Sequence, residues 1–203
     1  MLVGEGTSKM RKGESTRQRI IEKSAPIFNQ KGFAGCSMQD VMDAAGLEKG
    51  GLYRHFSGKE ELAAEVFRYT VARAEKLRYE KIDPGEGALD QLRSFVRRFV
   101  EVRSDIPGGC AIFNTAIGED DGNPVLRGLA LEALRTWKAR LARIAESGIR
   151  AGEIRKGIVP RHVANVVIAT LEGGLAMSRL EGSKTALEDA QTALEQFLDG
   201  LAA

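Results

Sequence analysis

Apolar residues recur at helical spacing almost from end to end of this chain, and two-residue alternation over a strand's length is hard to find. Ile20, Ile21, Ala25 and Phe28 form one stripe, with Gly32-Phe33 as its C-terminal stop. Pro26 sits inside that stripe and predicts a kink or a break. Ser37, with Asp40 three residues on, opens a short helix whose inner face is Met38, Val41, Met42 and Ala45, and Gly46 closes it. A third helix is expected over residues 49–56. Ser57 with Glu60 then caps a long helix through Leu62, Val66, Phe67, Val71, Ala74 and Leu77.

Asp83-Pro84-Gly85-Glu86-Gly87 breaks the pattern. Beyond it, Leu89, Leu92, Val96, Phe99 and Val100 mark another helix, Pro107-Gly108-Gly109 another break, and residues 110–117 a short helix. Asn123-Pro124, an N-cap followed by Pro at the first helical position, opens a long helix carrying Leu126, Ala130, Leu134, Trp137, Leu141 and Ile144. Residues 163–180 are apolar nearly all round, which predicts burial on more than one side. Thr185 with Glu188 caps the last helix, whose stripe is Leu187, Ala190, Leu194, Phe197, Leu198 and Leu201. The pattern predicts an all-α fold of about nine helices, divided at residues 1–60 and 61–203.

Composition narrows the function. The chain has 203 residues, 43% hydrophobic and 29% charged, with a net charge of +2. A chain this long buries roughly 70% of its unfolded surface and needs no disulfide or metal staple. Cys36 and Cys110 make no framework and fit a reducing cytosol, which predicts a cytoplasmic protein. Residues 1–15 contain no apolar core, so no secretory signal is expected. Asn165, Glu172 and Arg179 interrupt the greasiest stretch and argue against a membrane span. Two histidines argue against a His-rich metal site, and neither a metal nor a cofactor is expected.

Residues 15–60 hold three helices, the second and third separated by a tight turn at Gly46-Leu47. That is helix-turn-helix spacing, with a bracing helix followed by an exposed recognition helix. In Lys49-Gly50-Gly51-Leu52-Tyr53-Arg54-His55-Phe56, Leu52 and Phe56 pack inward and leave Lys49, Tyr53, Arg54 and His55 outside. Residues 1–60 carry ten Lys/Arg, Lys9, Arg11 and Lys12 among them, against seven acids. The electrostatic footprint is modest.

On these residues the chain resembles the TetR family of bacterial repressors. The resemblance lies in Arg17 to Lys31, Ser37-Met38-Gln39-Asp40-Val41, Ala44-Ala45-Gly46-Leu47 and above all in the run from Lys49 to Leu62. It implies an Ω-shaped homodimer with an N-terminal DNA-binding domain and a helical C-terminal domain that binds an inducer. Carried over by position, Ser37, Lys49, Gly50, Tyr53, His55 and Lys59 hold the DNA backbone of a double-stranded operator, and Arg54 reads a base. Two departures stand out: Gly51 replaces a hydroxyl residue common there, and Glu48 places a negative charge beside the groove.

The helices over residues 163–180 and 187–201 have wide apolar faces suited to a homodimer interface, where Gly173-Gly174 permits close approach. A two-fold dimer would set the recognition helices one DNA turn apart, roughly 34–36 Å. Phe95, Phe99, Cys110, Phe113, Asn114, Ile117, Trp137 and Leu141 are the candidate ligand-binding residues, an apolar lining with a few polar atoms. Arg97, Arg98 and Arg103 could recognise an anion but are more consistent with solvated charges. Cys110 has two readings. It is an inert core thiol, or its helix start lowers its pKa and it senses electrophiles. The leading function is a transcriptional regulator, most simply a repressor, released from a palindromic operator by a small apolar or electrophilic effector. A DNA-binding protein without inducer, or a small helical enzyme using Cys110 as nucleophile, are the alternatives. No P-loop, Gly-x-Ser-x-Gly, His-Glu-x-x-His or dinucleotide fingerprint supports the enzyme.

Overall fold

The computed structural model describes residues 12–118 and 122–203. Lys9, Arg11 and most of the polar start of the chain lie outside the described residues. The elements are α1 (Lys12–Gly35), α2 (Met38–Ala45), α3 (Lys49–Tyr53), α4 (Lys59–Tyr79), α5 (Ala88–Glu101), α6 (Ala111–Gly118), α7 (Pro124–Ala151), α8 (Pro160–Glu181) and α9 (Thr185–Asp199). Among the described residues the only β pairing is an isolated bridge between Ile154 and Ala202.

Local chemistry explains most boundaries. Ser37 and Asp40 form the expected capping box at α2, and Gly46 ends that helix in the left-handed conformation at φ +63. Asn123 accepts from the amides of Val125 and Leu126, and Pro124 takes the first turn of α7. α1 passes through Pro26 without ending, and the break comes at Gly32, whose φ of +71 is non-helical.

Three boundary expectations are corrected. The amide and hydroxyl of Ser57 both donate to Glu61, not Glu60, because Gly58 occupies the N-cap and α4 starts one residue late. Thr185 does not cap α9. Lys184 holds that position without a side-chain bond, and the Ser178 hydroxyl accepts the Leu187 amide instead. α3 ends at Tyr53, sooner than expected, since its two glycines each cost about 1 kcal/mol relative to Ala.

Buried apolar residues form two clusters. The smaller joins Ile20, Ile21, Ala25, Cys36, Val41, Leu52 and Phe56 to Leu62 and Val66 of α4. The larger contains Phe95, Trp137, Leu141, Leu171, Leu194 and Leu198, and Phe67 and Tyr79 carry α4 into it as well. α4 is therefore shared by both cores, and the smaller core reaches past residue 60. α5, α7, α8 and α9 pack as a bundle, while α6 touches α1, α4 and α7.

α8 is long and apolar enough to cross a membrane by length and composition, yet one face packs on α7 and α9. Burial on more than one side is expected, and within this chain one side is covered. Val167, Ile168, Leu171 and Gly174 are buried, whereas Val166, Ala169, Gly173, Ala176, Met177 and Leu180 form an exposed stripe in which Leu180 is 89% exposed. The apolar stripe of α9 faces its own chain's core, leaving Asp189, Thr192, Ala193 and Gln196 outside.

Candidate functional site

The presentation of α3 follows from two anchors. Leu52 and Phe56 are buried in the smaller core, and the Arg17 guanidinium lies 4.6 Å from the centre of the Phe56 ring. Arg17 also reaches Glu61 (3.5 Å) and Glu65 (3.3 Å), so α1, the residues after α3 and α4 are tied at one point. Lys49, Gly50, Tyr53 and Arg54 are exposed together on the opposite side, with no ion pair or side-chain hydrogen bond to Lys49 or Arg54 among the described residues. A side-chain carbon at Gly50 would meet nothing within 4 Å, so packing inside the chain does not require the glycine.

The other three DNA-contact candidates are constrained. The Ser37 hydroxyl donates to Asp40 (2.6 Å) and accepts from the Asp40 amide (3.0 Å). Asp40 also binds Lys31 (2.7 Å), and the Lys31 and Ser37 bonds hold its carboxyl well below the usual carboxylate range. Turning the Ser37 hydroxyl proton to a phosphate costs its bond to the Asp40 carboxylate but leaves both cap bonds in place. Lys59 is half-buried, its Nζ 4.4 Å from the centre of the Phe33 ring, which fixes its charge beside the uncapped first turn of α4. His55 is half-buried.

The eight ligand-site candidates do not share one cavity. Phe95 and Leu141 are fully buried and line no open space. Tyr79 stacks on Phe95 (5.0 Å) and Trp137 on Phe99 (6.0 Å), and these aromatics fill their own centre. The space left beside Trp137, Cys110 and Arg78 is about 30 Å³, room for roughly one water molecule. Cys110, Phe113, Asn114 and Ile117 instead border a surface cleft of about 640 Å³ against α8, and Ile117 is 80% exposed. Phe99 borders a different cleft of about 500 Å³ between the end of α5 and the α8–α9 turn. The eight candidates thus divide among separate spaces, because the aromatics at helical spacing pack on one another.

Buried polar atoms mark this region. The Tyr79 hydroxyl, the Trp137 indole N–H and Glu172 Oε1 are buried without an acceptable hydrogen bond. Burial pushes the Glu172 carboxyl up, while the neighbouring thiol and Arg78 pull it the other way. Sequence reading had used Glu172 only against a membrane span, although a lone carboxyl in an apolar run was itself a signal.

Cys110 lies 7% exposed beside Glu172, and burial pushes its thiol up to about 12, the carboxyl adding to the shift. Burial likewise raises Cys36. Desolvation outweighs the helix-start dipole, which favours the inert core thiol over the low-pKa sensor. With both values raised in the fold, the thiolate fraction at neutral pH falls below that of a free thiol. The native protein is expected to take up no maleimide at neutral pH, whereas the unfolded chain takes up two. Intact-mass measurement checks this, and rapid labelling of native Cys110 would restore the sensor.

Asn29 and Asn114 join the two cores. Asn29 Nδ2 donates to the carbonyls of Pro107 (2.9 Å) and Gly109 (3.1 Å), and Asn114 Nδ2 donates to the Gly108 carbonyl (2.7 Å) and the Asn29 carbonyl (3.2 Å). The end of α1 is thereby bonded to the loop that precedes α6. Sequence reading missed Asn29 because its partners lie about 80 residues away.

Comparison with known proteins agrees with this geometry. A family model for the tetR family of bacterial regulatory proteins matches residues 20–66, and one for the tetracyclin repressor-like C-terminal domain matches residues 88–194. The chain is 24% identical over 183 residues to the HTH-type transcriptional repressor DhaR of Mycobacterium sp. strain GP1, covering 90% of this chain and 91% of that protein. A TetR transcriptional regulator from Chloroflexus aurantiacus J-10-FL shares 36% identity at a TM-score of 0.89, covering 95% of this chain and 98% of that one. A TetR-family regulator from Cytophaga hutchinsonii shares 31% identity at a TM-score of 0.90, covering 97% and 99%.

Proposed function

Since the chain belongs to the TetR family of transcriptional regulators, we propose that it is a ligand-responsive repressor that binds a near-palindromic operator as a homodimer. The family and these relatives are transcriptional regulators, not enzymes. The observation that carries the proposal is the exposed group Lys49, Gly50, Tyr53 and Arg54 on a five-residue helix anchored by buried Leu52 and Phe56. Arg54 reads a base edge in the major groove, and Ser37, Lys49, Gly50, Tyr53, His55 and Lys59 hold phosphates. Residues 1–60 act as the DNA-binding part and 61–203 as the effector and dimerisation part, with α4 common to both.

The exposed apolar stripe of α8 supports dimerisation, since a row of this kind ending in an 89% exposed Leu180 is costly to leave in water. α9 joins the interface through its outer face around Ala193, not through its apolar stripe. The protein works in the cytoplasm, where a noncovalent small-molecule effector selects a dimer geometry in which the two recognition helices no longer match successive grooves.

Arg54→Ala is expected to weaken binding to the cognate operator by about 1–3 kcal/mol and to relax its sequence preference. Fluorescence anisotropy at fixed salt, on cognate and scrambled DNA, measures both. Equal losses on the two DNAs would move Arg54 from base to backbone.

A further inference from the structure

The 500 Å³ cleft between the end of α5 and the α8–α9 turn is strongly one-signed. Arg78, Arg103, Arg179 and Lys184 line it, and no carboxylate does. Among the described residues none of the four forms an ion pair. Asp105, two residues from Arg103, binds Arg73 instead. Arg78 is half-buried, its guanidinium over the faces of Phe99 (4.2 Å) and Trp137 (5.5 Å). Four cations with no counter-charge repel one another, so a bound anion lowers their energy. Guanidinium groups suit carboxylates and phosphates, which they bind in forked geometry.

The same cleft also has an apolar wall, to which Phe99, Val100, Val102 and Leu175 contribute. Its lining is thus both cationic and apolar.

Resting on the ligand-responsive reading above, we infer that the effector is an amphipathic anion. Its carboxylate or phosphate head sits among Arg78, Arg103, Arg179 and Lys184, and its apolar body lies against Phe99, Val100 and Leu175 of the same cleft. The site also has a route to DNA. Arg179 lies directly on the Gly109 backbone, where even a methyl group would collide with its guanidinium, and the Gly109 carbonyl accepts from Asn29 of α1. An anion that draws Arg179 into the cleft therefore acts on the loop to which the DNA-binding end is bonded.

The test titrates the full-length protein with decanoate, decyl phosphate, decanol and decyltrimethylammonium, all below micelle formation. Isothermal calorimetry measures binding, and release from promoter DNA is followed in parallel. Decanoate or decyl phosphate is expected to bind at least tenfold more tightly than decanol, with the cationic probe weakest. The double variant Arg103→Gln/Arg179→Gln, at two exposed positions that leave the fold intact, should lose at least tenfold for the anions and less than twofold for decanol. Circular dichroism verifies its fold, and Lys184→Gln provides an independent second variant. Equal affinity for decanol and decanoate, no binding of either anion, or anion binding indifferent to both variants overturns the assignment. DNA release by decanol alone keeps the responsive-regulator reading and sinks the anion site. Anion binding that leaves DNA bound keeps the site and sinks that reading.

Discussion

Phe56→Ala is expected to destabilise the smaller core by about 3–5 kcal/mol and to abolish operator binding, although the residue touches no DNA. α3 is five residues long with two glycines, so it cannot persist on intrinsic propensity and depends on Leu52 and Phe56 beneath it. Phe56 is 1% exposed, packs with Ile20, Val41 and Leu62, and carries the Arg17 guanidinium on its ring. Truncation leaves a cavity and frees Arg17 from the face that orients it toward Glu61 and Glu65. The single tryptophan, Trp137, lies in the larger core and reports on that core alone. In a urea titration of the variant, helical circular dichroism should fall in part before the Trp137 emission shifts. Coincident loss of both signals would show that α4 couples the cores into one cooperative unit. Retained operator affinity would show that Phe56 does not support the recognition helix.

The same chemistry explains what was legible beforehand. Helix starts fixed by side-chain caps, such as Ser37 with Asp40 and Asn123 with Pro124, can be read because donor and acceptor are within a few residues. The inward Leu52 and Phe56 and the outward Lys49 and Arg54 follow from four-residue spacing in the same way. Where the cap was ambiguous, as at Ser57, two adjacent glutamates competed, and Gly58 decided for Glu61. The effector region was far less legible. Phe95, Phe99 and Trp137 look alike in sequence whether they line a space or fill it, and here they pack against each other. Arg78, Arg103, Arg179 and Lys184 converge only after four helices have packed, and no local period links them. The exposed face of α8 was visible as excess apolarity, but which side was free depended on α7 and α9 occupying the other.

Gly108→Ala is expected to weaken operator binding at least tenfold, about 1.4 kcal/mol, from a position outside the DNA face. Gly108 adopts φ +117, a conformation that L side chains rarely adopt. An added side-chain carbon would fall 2.5 Å from the Asn29 carbonyl oxygen and 2.7 Å from its carbonyl carbon, closer than atoms can approach. These are backbone atoms of α1 and cannot rotate aside, so the junction itself must move. That movement disrupts the bonds from Asn29 to Pro107 and Gly109 and from Asn114 to Gly108, which together set the angle between the smaller core and α6. The backbone conformation alone costs about 1–3 kcal/mol of stability. Gly157→Ala separates the two effects. Gly157 also has positive φ, at +93, but a side-chain carbon there meets nothing within 4 Å. Gly157→Ala should therefore lower the melting temperature while leaving operator affinity unchanged, whereas Gly108→Ala lowers both. Equal operator affinity in the two variants, measured side by side at one salt concentration, would mean that the Asn29 junction does not hold the DNA-binding end in place.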